Sequence, residues 1–191
     1  MSAMTWYDHT TNSIWSQPWG RAIRGEFKGT QLFLFPSQVT TWGSWKAEHP
    51  ETLAMTNGVG NNTFLSRTRQ GFDPRFVIGL VLADESNAYY FSDVALVGVV
   101  NDVLGDFPIA VWAKDDRFHA FIRQVGDRTL TFRAEGDTLI DEETGSTWDV
   151  VRGLAVDGPL KGEVLQSVPS STSYDWAWRD FYPDAQFYVP E

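Results

Sequence analysis

The sequence predicts a mainly β protein of two related β-rich halves, an internal repeat, with short helical turns and a sandwich- or barrel-like arrangement. Three observations carry this. Many of the 16 Gly and 9 Pro separate short apolar runs, as at Gly25, Gly29, Pro36, Gly158, Gly162 and Pro169. Such punctuation suits many short strands better than long helices. A segment near the N-terminus recurs 133 residues later without gaps: residues 8–52 and 141–185 share 14 identities in 45 positions. Unrelated segments would share about three. Finally, 15% of the residues are aromatic, 9 of them Trp, enough large rings to fill a small β-rich core or to form a stacking surface for sugars or planar ligands.

Each copy reads the same way. Asp8 or Asp141 opens a turn, with Asn12 or Gly145 at a position tolerant of positive φ. A short strand follows around Trp15 or Trp148. Next comes a glycine-punctuated hairpin, Gly20 to Gly29 or Gly153 to Gly162, with Ala22 or Ala155 packed inside. Leu32 to Phe35 and Leu165 to Val168 are expected as strands closed by Pro-Ser. A helical turn ends each copy, capped by Thr40/Thr41 or Ser173 and stopped before Pro50 or Pro183. On it, Trp42, Trp45 and His49 fall on one face, as do Tyr174, Trp178 and Phe181. The simplest role of that stripe is docking on a sheet.

Between the copies, Phe76 to Leu82 and Ala88 to Phe91 read as buried strands, and the apolar run Val94 to Val100 as a third that ends at Asn101-Asp102. Phe107 to Trp112, Phe118 to Val125 and Leu130 to Arg133 are further strands. The organisation expected is a partial first repeat over 1–57, a linker over 58–74 rich in Gly and Asn, and a complete second repeat over 75–191, able to pack as one unit. Asn61-Asn62-Thr63 fits a glycosylation sequon. An orphan half-copy exposes strand edges, so residues 1–57 are expected either to pack on the rest or to form a homo-oligomer through the incomplete repeat.

Composition excludes several functions. Lys+Arg 15 against Asp+Glu 25 gives a net charge of -10, which argues against nucleic acid. With Cys 0, disulfides, thiolate metal sites and a cysteine nucleophile are impossible. No apolar run approaches the roughly 20 residues of a membrane helix, and Met1 to Tyr7 has no signal-peptide pattern. The chain has no His-Glu-x-x-His, Gly-x-Ser-x-Gly, Gly-x-Gly-x-x-Gly or P-loop pattern, so no metal, cofactor or nucleotide is expected. The carboxylate runs Asp84-Glu85, Asp115-Asp116 and Asp141-Glu142-Glu143 read as solvated loops, because strand neighbours point to opposite faces.

Two constellations remain as candidate binding groups. Asn101-Asp102 should sit where a buried strand emerges; Asn donates and accepts, and Asp serves as base or ligand. A turn in which both side chains bond their own backbone is the alternative. Trp45 and His49 are an i, i+4 pair able to hold a sugar or planar ring. Their counterparts Trp178 and Tyr182 keep the shape without the proton chemistry, which fits packing or binding better than catalysis.

Tyr7 to Gln17, Gly20 to Ile23 and Thr41-Trp42 through His49-Pro50 resemble domain-of-unknown-function family 3179 of bacteria and archaea. Ala88-Tyr89, Val100-Asn101-Asp102, Asp141 to Asp149 and Trp176-Ala177-Trp178 stand where that family has its C-terminal landmarks. The resemblance adds Tyr89 to the candidate binding residues and implies an architecture more than an activity. It also implies that this chain begins after a Cys-Pro-Leu-Cys-like stretch of its relatives. Many of those look exported.

The function expected is a non-catalytic binding or assembly module with a small-molecule or glycan ligand, carbohydrate or another extracellular ligand. The alternatives are a hydrolase or lyase using Asp102 with His49 or His119, and a structural remnant of a larger family member.

Overall fold

The computed structural model describes residues 4–37, 40–54 and 73–190. The predicted linker falls almost entirely outside these residues, as does the Asn61 sequon. In chain order the elements are β1 (Thr5–Asp8), β2 (Ser13–Ser16), β3 (Arg21–Arg24), α1 (Trp42–Glu48), β4 (Phe76–Leu82), β5 (Glu85–Tyr90), α2 (Phe91–Val97), β6 (Val99–Leu104), β7 (Phe107–Lys114) and β8 (Arg117–Ile122). They continue with β9 (Gln124–Val125), β10 (Arg128–Thr129), β11 (Phe132–Glu135), β12 (Thr138–Asp141), β13 (Thr147–Asp149), β14 (Leu154–Asp157), β15 (Ser170–Tyr174), α3 (Asp175–Phe181) and β16 (Gln186–Phe187). The protein is mainly β, and none of its sheets closes into a barrel.

Three sheets stack, and their alternating side chains say how. In β7, Ile109, Val111 and Ala113 face one core, where they meet Ile78, Leu80 and Tyr89 of β4–β5 and Phe91 and Val94 of α2. Ala110 and Trp112 face the other, with Phe132, Leu139, Trp148 and Leu165. The sheet β6–β7–β8 is therefore the middle layer, between β15–β4–β5–β16 and β11–β12–β13–β14. This is the two-residue period of a strand buried on both faces. The outer face of β4–β5 presents Val77 and Ala88 to Trp178 of α3.

The two copies are built alike. Trp15 pairs with Ala22 and Trp148 with Ala155, and a bulge falls at the same place in both, between Ile14 and Trp15 and between Thr147 and Trp148. Asn12 and Gly145 both take positive φ, 52° and 72°. Ala22 and Ala155 are both buried inside their hairpins. The Ser13 hydroxyl accepts from the Phe27 N–H at 3.1 Å and the Ser146 hydroxyl from the Leu160 N–H at 3.0 Å. The helices α1 and α3 also begin and end 133 residues apart.

Several local expectations need correction. The run Val94 to Val100 is not one strand: α2 takes its first half and β6 begins at Val99. Gly98, at φ 81°, ends the helix by donating its N–H to the Val94 carbonyl, a left-handed stop that glycine adopts without steric cost. Asn101 and Asp102 consequently lie midway along β6. Leu32 to Phe35 and Leu165 to Val168 are extended but form no regular strand. Thr41 caps α1, its hydroxyl accepting from the Ser44 N–H at 3.2 Å, whereas α3 has no side-chain cap and Ser173 belongs to β15. Asp141 is no solvated carboxylate: it is fully buried and accepts from the Trp148 indole at 2.9 Å and the Thr144 N–H at 2.6 Å. Burial pushes its pKa up, but these bonds prevail and hold it below the ordinary aspartate value.

Candidate functional site

The candidate residues fall into separate places. Asn101 lies on the Phe132 side of β6. Its amide donates to the Phe132 carbonyl at 2.7 Å and accepts from the Phe132 N–H at 2.8 Å. That two-way bond ties β6 to β11 and gives the side chain a structural task. Asp102, one residue on, faces the opposite core. Its Oδ2 accepts from the Tyr89 hydroxyl at 2.7 Å, and its Oδ1 accepts from the Val103 N–H at 2.8 Å. The Tyr89 hydroxyl in turn accepts from the Asn87 amide at 3.2 Å. Burial of the Tyr89 ring raises the pKa of its phenol. Tyr89 and Asp102 are thus brought together, with Asn87 as a third member that the sequence did not single out.

Trp45 and His49 stack on α1 with ring centres 4.0 Å apart, and the Trp45 indole donates to the Thr52 hydroxyl at 3.0 Å. No α1 residue is buried. Among the described residues, no hydrogen bond or ring contact joins this pair to Tyr89 and Asp102.

The pairing of Asp102 with His119 is corrected by sheet register. Asp102 stands opposite Ile109, and His119 opposite Trp112. The two rows are three residues apart, so the side chains point to opposite faces. His119 is buried between the Trp112 and Phe121 rings, 5.8 Å and 6.1 Å away. Burial, aided by the Arg117 charge, pushes its pKa down to about 4, so the imidazole is neutral at ordinary pH.

The principal cavity lies elsewhere. A cleft of about 730 Å³ runs between α3 with β15 on one side and Gln17, Pro18, Leu34 and Phe35 of the first copy on the other. Its far wall carries Tyr174, Trp176, Trp178, Phe181 and Tyr182, and the hydroxyls of Ser170 to Ser173 line its rim. Two hydrogen bonds fix the first copy there: the Trp19 indole donates to the Phe181 carbonyl at 3.1 Å, and the Tyr182 hydroxyl donates to the Pro18 carbonyl at 3.1 Å. The Trp19 ring also meets Phe181 edge-on at 5.5 Å. Trp176, about half exposed, stacks with Tyr174 at 6.0 Å. No carboxylate, imidazole, amine or guanidinium lines the cleft, and none of Asn101, Asp102, Trp45, His49 or Tyr89 does.

A family profile described as a protein of unknown function, DUF3179, matches residues 1–68 and 61–185. The chain belongs to this DUF3179 family. No curated protein matches it, and no solved structure does. Two of the pairs that gave the DUF3179 resemblance are bonded partners in the fold, Tyr89 with Asp102 and Trp148 with Asp141. Among the described residues no helix is long and apolar enough to cross a membrane.

The cleft residues escaped the sequence analysis because they come from segments more than 130 residues apart. The available signal was the run Pro169 to Tyr174, five small or hydroxylated residues leading into Trp176 and Trp178, which had been assigned only to capping and packing.

Proposed function

We propose that the protein is a non-catalytic binding module whose ligand lies in the cleft between the first copy and α3. One observation carries this reading: the largest cavity has aromatic walls, a hydroxyl rim and no group that transfers protons near neutral pH. Rings supply flat apolar faces, and hydroxyls both donate and accept. A neutral ligand with alternating apolar and hydroxylated faces, such as a carbohydrate, suits those walls. An anion or cation would meet no countercharge.

Titration of the intrinsic tryptophan fluorescence with a panel of neutral oligosaccharides tests this. A saturable change is expected for at least one, at least tenfold weaker in Trp176→Ala. Because Trp176 is half exposed, that variant should keep the circular dichroism spectrum of the parent. With no titratable side chain in the lining, affinity should stay flat from about pH 5 to pH 8. Silence across the whole panel, or binding indifferent to Trp176, would remove the reading.

A further inference from the structure

The two copies have the same backbone plan but different surroundings. In the second, Leu165 and Val168 are 2% exposed. They lie along β8, where the Val168 N–H donates to the Ala120 carbonyl at 2.8 Å and the Ile122 N–H donates to the Gln166 carbonyl at 2.8 Å. Strand β15 then pairs with β4, and Trp178 presses its ring on Gly79, where even a methyl group would overlap it. The corresponding first-copy residues have no such support among the described residues. Leu32 is 42% exposed and Phe35, which also edges the cleft, 81%.

Composition goes the same way. Where the second copy has Gln166 and Asp175, the first has Phe33 and Trp42, and Phe33 is 90% exposed. The copy with the barer face is the more apolar one, the reverse of what solvent exposure favours. The twin shows what covers such a face: a β4–β5 hairpin with a glycine under the tryptophan.

We infer that the first-copy face, from Leu32 along to Trp42 and Trp45 of α1, docks a β-hairpin of the β4–β5 type supplied by a partner polypeptide, with a glycine where Trp45 lands. A second copy of this chain does not meet the need. Each chain carries two frames and one set of β4 to β8, and its own second copy already occupies that set. Pairing two chains leaves the shortfall unchanged. The partner adds its strand edge to edge, as in β-strand addition, and its glycine admits the indole. Trp42 and Trp45 take no part in the cleft lining, so hairpin docking and ligand binding can fail separately.

The test uses a labelled synthetic peptide of residues 75–91 as the hairpin, added to the full chain and followed by fluorescence anisotropy. Saturable 1:1 binding is expected. It should weaken at least tenfold with Trp45→Ala in the chain, and as much with Gly79→Leu in the peptide. Since α1 buries no residue, Trp45→Ala should leave the circular dichroism spectrum intact. Trp178→Ala in the chain should leave peptide affinity within twofold, which excludes strand exchange at the second copy. Absent binding, binding indifferent to Trp45 or to the peptide glycine, or a homodimer by sedimentation that shields Trp42 and Trp45 would each overturn the inference.

Discussion

Replacing Gly79 by leucine should destabilise the protein by about 3 kcal/mol, at the upper end of what overpacking costs. The glycine lies on the outer face of β4, paired with Ser171 and Ala88 of its neighbours. The Trp178 ring fills the space a side chain would take. Both neighbours are hydrogen-bonded to β4, so the strand cannot retreat, and α3 must lift instead. Trp178→Ala alone should cost about 3 kcal/mol or more, as removal of a buried ring does. The double variant should lose clearly less than the sum, because the leucine fills the room vacated by the indole. Thermal denaturation of the four proteins measures this cycle. Additive losses would mean that Gly79 and Trp178 do not share one space.

Asp141→Ala carries the second large effect. Three donors converge on that carboxylate: the Trp148 indole, the Thr144 N–H and the Thr144 hydroxyl at 2.7 Å. Removing the acceptor strands at least two buried donors, each worth roughly 1–3 kcal/mol, so a total near 3 kcal/mol is expected. Asp141→Asn should be milder, since one amide oxygen still accepts while its NH₂ opposes another donor. Asp8 makes the same turn with Thr10 and Thr11, but it is not deeply buried and no indole bonds to it. Asp8→Ala should therefore move the melting temperature far less, although the two residues occupy equivalent positions. The Asp141 pKa is depressed in the fold. Its stabilisation is thus present above the ordinary aspartate pKa and is lost as the pH falls through the lower, folded value. Asp141→Ala should flatten the acid limb of the stability curve.

The strands of the middle layer were legible because burial on both faces leaves continuous apolar runs, Phe76 to Leu82 and Phe107 to Trp112 among them. The same property hid α2. A short apolar run buried on all sides has no period to separate helix from strand, and only Gly98 marked the change. The misplacement of Asn101 and Asp102 follows from that error. The repeat was legible in full, down to the positive φ at residues 12 and 145, because turn geometry constrains residue type at single positions. The cleft was not, since its walls come from Gln17 and Pro18 on one side and residues 169–182 on the other. Sequence spacing carries no trace of that juxtaposition. Tyr89 was found only through likeness to the family, and its bond to Asp102 depends on a register between β5 and β6 that pattern alone does not give.

The central claim is that two like frames differ in stability because only the second is seated on a packed sheet. Native-state hydrogen exchange measures it on matched amides. Gly29 donates to Ala22 at 2.8 Å and Gly162 to Ala155 at 2.9 Å, while Leu32 donates to Gly20 and Leu165 to Gly153, both at 2.8 Å. Bond geometry alone would make each pair exchange equally. The account predicts that Gly162 and Leu165 exchange only through global unfolding, and that Gly29 and Leu32 exchange at least about 100-fold faster through local opening. Equal protection in the two members of each pair would contradict it.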